Sequence, residues 1–141
     1  MLPSEGLKLL LVAAGFPDGG ATDWATYLGR RPDKPNRIVT LYDSGGGTPN
    51  PKWLIDEPSV QIKVRGKSGD YYPAFEKAQE IKRILLGAPS QDIGGDRWVN
   101  FNMAGDIGYL GLDNKDQPDF VLNFNLIIEP AAQVGDHRAP L

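Results

Sequence analysis

Strict alternation of apolar and polar residues marks two β-strands. In the segment Asp119–Glu129 every second residue is apolar, which predicts a long strand with one wholly apolar face. The segment Ser59–Arg65 has the same period, because valine and isoleucine alternate with longer polar side chains. Each strand is therefore expected to have one buried face and one polar face. The polar positions expected to share the second face are Gln61, Lys63, Arg65, Asn123 and Asn125.

Further strands are indicated by β-branched and aromatic residues between turn-forming residues. The run Arg37–Asp43 is the clearest of these, and Trp24–Leu28 is a brief strand between two loops. Arg97–Met103 predicts another strand, and Asp106–Leu112 predicts a turn followed by a short strand. A polar turn over Asn114–Pro118 then leads into the last strand.

Two segments have the period of an amphipathic helix. In Ser4–Gly15 leucine and alanine recur at helical spacing, with Ser4 as the expected N-cap and Gly15 as the expected end. In Tyr71–Leu86 one side is apolar and the other carries lysine, arginine and glutamate, and Gly87 follows as a stop. Both helices are expected to pack on a sheet.

The order of these elements predicts an α+β fold, with a mainly antiparallel sheet and the two helices packed on one face. A chain of 141 residues is long enough for one core, so we expect a single domain over residues 1–130. After Pro130 the periodicity is lost, which predicts a flexible C-terminal tail over residues 131–141.

Composition excludes several kinds of chemistry. The chain has no cysteine, so disulfides, thiolate metal sites and thiol nucleophiles are ruled out. Its one histidine, His137, lies in the predicted tail, so neither a histidine-based triad nor a multi-histidine metal site is expected. No cofactor or metal is predicted. No apolar run approaches the roughly 20 residues of a membrane span, and without a basic signal-peptide flank we expect synthesis in the cytoplasm.

Three local patterns have a functional and a structural interpretation. The glycines Gly45, Gly46 and Gly47 follow a strand, but neither nucleotide-binding glycine pattern is present, so a hairpin or interface loop is favoured. Scattered carboxylates match no calcium-binding loop and are interpreted as surface acids. The basic segment Gly29–Arg37, with aromatic residues nearby, has a composition that can bind nucleic acid. Because the net charge is −3, docking to a protein partner is the favoured function of this segment.

Four segments taken together resemble the tail terminator proteins of long-tailed bacteriophages, sometimes labelled minor capsid proteins. They are Pro35–Gly47 (PNRIVTLYDSGGG), Pro58–Gly66 (PSVQIKVRG), the helix Tyr71–Gly87 and the closing Asn123–Glu129 (NFNLIIE). The resemblance covers most of residues 5 to 129 and rests on the order and spacing of all four segments. Its more particular elements are the Arg65–Gly66 pair and the tyrosine-aspartate-serine-glycine turn.

The resemblance implies a structural virion protein without catalytic residues. Such a protein assembles into a ring, expected to be a hexamer, at the head-proximal end of the tail tube. There it stops addition of tail tube protein and presents a docking surface to a neck or head-completion protein. DNA is expected to pass through the lumen without specific binding, and no membrane partner is expected.

We predict the subunit and partner contacts in the loop Ser44–Lys52 and in the basic loop Gly29–Arg37, with Arg65 as a charged contact across a ring interface. The candidate interface residues are Arg30, Arg31, Arg37, Ser44, Gly45, Gly46, Gly47, Lys52, Trp53, Lys63 and Arg65. Two alternatives stay open at this stage. One is a head-completion or neck connector protein, and the other is a small nucleotide-binding enzyme.

Overall fold

The chain forms two helices and seven strands in the residues that the structure, a computed structural model, describes: 1–49, 51 and 55–131. The α+β class predicted from the sequence is confirmed. In chain order the elements are α1 (Pro3–Ala13), β1 (Ala25–Leu28), β2 (Ile38–Gly46), β3 (Pro58–Arg65), α2 (Tyr71–Leu86), β4 (Gln91–Ile93), β5 (Asp96–Met103), β6 (Gly108–Leu112) and β7 (Pro118–Glu129).

The sheet is organised around β7, its longest strand. The strand order is β1-β2-β3-β7-β5-β4, and β6 also pairs with β7. One edge of β7 pairs with β3 from Asp119 to Asn125. Its other edge is shared, because β6 pairs with the first residues of β7 and β5 pairs with the last ones. In the described sheet β7 therefore pairs directly with β3, β5 and β6.

The sheet was predicted to be mainly antiparallel, and it is mixed, with one parallel strand pair in the described residues. β1 pairs with β2 in parallel, Ala25 opposite Ile38 and Leu28 opposite Leu41. The other strand pairs of the described sheet are antiparallel. Two adjacent parallel strands need a crossover connection, because the chain must return to the end from which it started. Here residues 29–37 form that crossover.

The core joins the apolar face of the sheet to side chains from both helices. Leu41, Ile62 and Leu122 lie opposite one another on three neighbouring strands, so they share one face. They belong to one buried cluster that also contains Leu7 of α1 and Ile81 of α2. Burying such a side chain stabilises the folded state by about 2 kcal/mol relative to exposure. The periodicity of β3 and β7 is thus the direct source of the core.

The start of α1 differs from the prediction. The N-cap is Leu2, and Ser4 lies inside the first turn. Asp43 of β2 instead meets this turn: its carboxylate accepts a hydrogen bond from the Ser4 backbone N–H at 2.9 Å and another from the Ser4 hydroxyl at 2.7 Å. A carboxylate at this position satisfies a free helix N–H and interacts favourably with the helix dipole. Gly15 ends the helix region as predicted, with φ of 109°.

Gly6 and Trp98 bring α1 unusually close to the sheet. A Cβ added to Gly6 would stand 2.3 Å from the Trp98 ring, so only glycine fits there. Trp98 is buried and pairs with Gln91 of β4.

The strand β4 was not predicted, because three residues are too few to show a period.

The predicted domain limits of 1–130 stay a prediction. The predicted tail lies outside the described residues, apart from Ala131, whose N–H donates to Asp96 at 2.9 Å.

Candidate assembly interface

Arg65 holds the basic loop, residues 29–37, on the polar face of the sheet. Arg65 points to this face because it pairs with Ile38 and Asp119, while its neighbour Val64 is in the core. Its Nε donates to the carbonyl of Asn36 at 3.0 Å. Its Nη2 lies within hydrogen-bond distance of three more carbonyls, those of Pro32, Asp33 and Pro35, at 3.1, 3.1 and 2.9 Å.

Burial makes this role of Arg65 a structural one within the protomer. The residue is 5% exposed, and burial lowers the pKa of its guanidinium, with a further lowering from the charge of Arg31. Arg31 in turn pairs with Asp119 at 2.7 Å, and both side chains are mostly buried. Arg65 was predicted as a contact to a neighbouring subunit. The structure places it under the basic loop, so we leave it out of the surface proposed below.

Arg37 ends the basic loop and connects it to α2. Its guanidinium binds both carboxylate oxygens of Asp70, Nε to Oδ2 at 2.6 Å and Nη2 to Oδ1 at 3.1 Å. Asp70 is the residue just before α2, and it also accepts the backbone N–H of Lys67. The Arg37 guanidinium lies over the Trp24 ring, 5.6 Å from its centroid. These contacts fix the Arg37 end of the loop, which the sequence identified only by its charge.

Arg30 and Lys34 are the basic side chains of this loop that stay exposed. Arg30 lies over the Tyr27 ring at 5.5 Å, and the Lys34 ammonium is 3.4 Å from the Asn36 side-chain oxygen. Both contacts are on the surface and leave the charges facing solvent. They are therefore the members of the predicted basic patch that a partner can reach.

The predicted glycine loop begins inside β2. Ser44, Gly45 and Gly46 are residues of that strand, and Gly46 pairs with Pro58 after a register shift. A Cβ on Gly46 would lie 2.2 Å from the Glu57 carbonyl oxygen, and its φ is 125°, so the close approach of the two strands requires glycine. Gly47 continues the contact by donating to the Glu57 carbonyl at 2.8 Å.

This geometry disfavours the phosphate-binding interpretation of the glycines, because they belong to a strand and not to the N-terminus of a helix. The two other predicted residues of this loop, Lys52 and Trp53, lie outside the described residues. Lys63 is on the polar face, with its ammonium 5.7 Å from the Tyr42 ring centroid.

The polar face predicted from β3 and β7 is confirmed by the strand register. Gln61 pairs with Asn123, and Ser59 pairs with Asn125 through a 2.6 Å hydrogen bond from its hydroxyl. Ser59 and Asn125 line a groove of about 460 Å³ together with Asn102 and Glu57. Amide and hydroxyl groups of this kind suit contact with solvent or with a polar protein surface.

The described residues contain neither a candidate metal site nor a helix able to span a membrane. Within 1–49, 51 and 55–131 there is no group of three histidine, cysteine or acidic residues that could hold a metal ion. In the same part of the chain no helix is long and apolar enough to cross a membrane. The fold brings together an arginine that binds backbone carbonyls, two arginines paired with carboxylates, and a glycine strand packed closely against Glu57.

The family model of the bacteriophage tail terminator protein matches residues 14–130. The chain belongs to this family. The resemblance inferred from the sequence is thereby confirmed, and the match includes the basic loop, the glycine segment and β7. Membership makes the chain a structural protein of a phage tail and a component of the virion.

A solved structure with the same fold is a chain of the virion of a native gene transfer agent particle. The sequences are 16% identical, the TM-score is 0.65, and the alignment covers 91% of this chain and 95% of the other. No curated relative matches the sequence. At 16% sequence identity, this similarity establishes that the tail terminator chain and the gene transfer agent chain share a fold.

Proposed function

We propose that this tail terminator forms a ring of six copies that caps the head-proximal end of the tail tube. The ring stops further addition of tail tube protein and offers the docking surface for a neck or head-completion protein. The family match over residues 14–130 is the observation that carries the proposal. The exposed charges of Arg30 and Lys34 and the polar face of β3 and β7 support it, because they offer groups that a protein partner can contact.

Capping requires a subunit with two unlike surfaces along the tube axis. A tube grows because each added ring exposes the docking surface that its predecessor exposed. A ring that matches the tube on one side and differs from it on the other ends this repetition. The proposed ring therefore binds the tube on one face and the neck on its opposite face.

We also propose that both helices cover the apolar face of the sheet and leave its polar face available for assembly. The shared cluster of Leu7, Ile81, Ile62 and Leu122 supports this arrangement. The polar face, with Gln61, Asn123 and the groove lined by Ser59 and Asn125, would then remain for contacts in the virion. DNA that passes through the ring meets a protein with a net charge of −3, which favours sliding over tight binding.

The position of the protein in assembly intermediates tests this function. Phage carrying an epitope-tagged copy would be grown, and head-free tails and tail-free heads would be separated and labelled with gold-conjugated antibody. We expect label on head-free tails, at the end opposite the tail tip. Label on tail-free heads, with none on head-free tails, would contradict capping and would identify a head-completion or neck protein instead.

A further inference from the structure

The Pro118 end of the sheet carries a cleft with exposed aromatic walls, which we call the tyrosine groove. It has a volume of about 290 Å³ and is lined by Tyr71, Tyr109, Leu112 and Pro118, together with two carboxylates, Asp70 and Asp116. The rings of Tyr71 and Tyr109 meet edge to face, with centroids 5.2 Å apart. Both tyrosines are about half exposed, and Leu112 is 57% exposed. Apolar and aromatic groups that stay together at the surface are typical of a protein contact site.

The tyrosine groove lies beside an open edge of the sheet. Tyr109 and Leu112 belong to β6, whose strand partner in the described sheet is β7 alone. The outer side of β6 therefore keeps backbone N–H and C=O groups that an extended chain can bond. The sequence of β6, Gly108–Leu112, contains neither a charged residue nor a proline, which are the residues that usually keep another chain from such an edge. This edge thus favours an extended segment with apolar side chains.

Asp116 is the carboxylate of the groove that a partner can reach. It is exposed, and none of the ion pairs among the described residues includes it. The other carboxylate, Asp70, is buried and already bound by Arg37. The ammonium of Lys115, the residue before Asp116, lies 3.8 Å from Asp33. No basic side chain of the described residues lines the groove, so one positive group of a bound segment can pair with Asp116.

A segment with these properties follows β7 in the same chain. Residues 138–141 are Arg138, Ala139, Pro140 and Leu141, one positive charge followed by three apolar residues. A residue before proline favours extended backbone, so Ala139 suits an extended bound form with a small loss of conformational freedom. Proline-containing segments bind aromatic grooves well for the same reason. With Arg138 at Asp116, the proline and the leucine would meet the apolar walls of the groove.

The groove of the same copy is out of reach for this segment. Ala131 lies at the Glu129 end of β7, where its N–H donates to Asp96 at 2.9 Å. From residue 131 to residue 138 the chain advances seven residues, so the two backbones are at most about 25 Å apart. β7 has 12 residues, and a strand of that length spans about 36 Å, with the tyrosine groove at its far end. The segment is therefore expected to bind another copy.

We infer that residues 138–141 of one copy bind the tyrosine groove of the next copy, with Arg138 against Asp116. This inference rests on the proposed ring, in which it supplies a contact from each subunit to its neighbour. The groove and the segment are different surfaces of one chain. Contacts of this head-to-tail kind close a ring when the same rotation relates every neighbouring pair. The residues after β7 then connect the subunits of the cap.

Cross-linking tests this contact directly, because the natural chain has no cysteine. Ser68 is exposed, and its hydroxyl lies 3.4 Å from the Asp116 carboxylate, so it marks the groove without lining it. Phage would carry Ser68→Cys and Ala139→Cys in one chain, and a short bismaleimide would be added to the particles. The tagged chain would be retrieved from every particle class. We expect a ladder of oligomers from the double variant.

Three controls define the cross-link. Each single variant, Ser68→Cys or Ala139→Cys, should stay monomeric, and particles that contain both single variants should give dimers without a longer ladder. The third control combines Ala139→Cys with Arg83→Cys. Arg83 is exposed on α2, 13 residues after Asp70 and hence about 20 Å from the groove along the helix. This pair should give no ladder.

A charge cycle supplies the second readout. Asp116 has a φ of 60°, which asparagine adopts readily, so Asp116→Asn removes the charge without straining the backbone. Asp116→Asn and Arg138→Gln, each in competition with the natural chain, should lower incorporation into particles by about threefold, the effect of a partly exposed ion pair. The double variant should lose no more than either single one, because both changes break the same contact. The control Glu76→Gln, at an exposed position of α2, should leave incorporation unchanged.

The outcomes separate this inference from the proposed function. A double-cysteine chain linked only within itself, with no dimers from the mixed single variants, would overturn the inference, because the segment would then bind its own copy. Absence of any cross-link in capped tails of normal length would also overturn it and would leave the capping function intact. Additive losses in the charge cycle would overturn the pairing of Arg138 with Asp116. A ladder from the chain on heads, with none of the chain on tails, would support the contact and contradict capping.

Discussion

Arg37 and Asp70 form a two-point ion pair between the residue before β2 and the residue before α2. The Nε–Oδ2 distance is 2.6 Å and the Nη2–Oδ1 distance is 3.1 Å. The Asp70 side chain is 5% exposed. Planar arginine and carboxylate groups in this arrangement restrict direction as well as distance. The pair therefore fixes the end of the basic loop relative to the long helix.

Stability at low pH should depend on this pair. Burial alone would raise the pKa of Asp70, but hydrogen bonds from Arg37 and from the Lys67 backbone lower it further than burial raises it. The pair therefore stabilises the fold above the ordinary pKa of 3.8, and this contribution is lost as pH falls toward the lower pKa of the folded state. Asp70→Asn should cost about 2 kcal/mol at pH 7.

Chemical unfolding of both proteins between pH 7 and pH 2.5 checks this expectation. The difference in free energy of unfolding between the natural chain and Asp70→Asn should shrink below pH 4. A difference that stays constant over the whole range would contradict the assigned role of the carboxylate.

Replacement of Arg65 should loosen the basic loop. Lysine has a single nitrogen and cannot bond all four carbonyls that Nε and Nη2 of the guanidinium reach, so Arg65→Lys should destabilise the fold by about 2 kcal/mol. Hydrogen exchange at the Asp33 and Asn36 amides should accelerate. The matched control is Lys63→Met, two residues earlier on the same face, whose contact with Tyr42 contributes about 0.5 kcal/mol. Equal effects of both variants on exchange would contradict this account.

Gly46 and Gly45 should differ sharply in their tolerance of alanine. Gly46→Ala forces a Cβ against the Glu57 carbonyl in addition to a positive φ, and we expect a loss of about 3 kcal/mol or more. Gly45→Ala has a positive φ but open space around the added atom, so about 1 kcal/mol is expected. Thermal unfolding of the two variants measures the difference. A Gly46→Ala variant as stable as Gly45→Ala would refute the close approach of β2 to Glu57.

Asp43 should contribute to α1 although it belongs to a strand. Asp43→Ala removes the acceptor of both hydrogen bonds from Ser4 and should lower stability by about 1 kcal/mol, as loss of a helix cap does. The control Asp92→Ala removes an exposed acid of β4 whose contact is Arg97 at 3.3 Å, and should change stability by less than about 0.5 kcal/mol. Urea unfolding of both variants distinguishes a cap from an ordinary surface acid.

The sequence predicted the elements whose period is long enough to be unambiguous. The alternation in β7 and β3 fixed their faces, and the register confirms that Gln61 and Asn123 share one of them. The helix α2 runs from Tyr71 to Leu86, as its apolar side indicated. The strand alternation and the helical periodicity both arise because some side chains face the core and others face solvent. That difference is visible in the residue type at each position of the sequence.

Contacts between distant segments could not be predicted in the same way. The cap from Asp43 to α1 joins residues 39 positions apart, and the fastening of the basic loop by Arg65 spans about 30 positions. The charge of Arg65 suggested a surface role. Its actual partners are backbone carbonyls, which every residue has, so no sequence pattern identifies them. The parallel pairing of β1 depends on the path of its crossover loop, which no local period specifies.

Tail length after deletion of the gene tests the proposed cap most directly. Particles from the parent phage and from the deletion strain would be measured by negative-stain electron microscopy, with a complemented strain as the control. Loss of the cap predicts head-free tails with a broad distribution of excess lengths, restored to normal by complementation. Tails of normal length beside unattached or leaking heads would contradict the account and would move the protein to the neck.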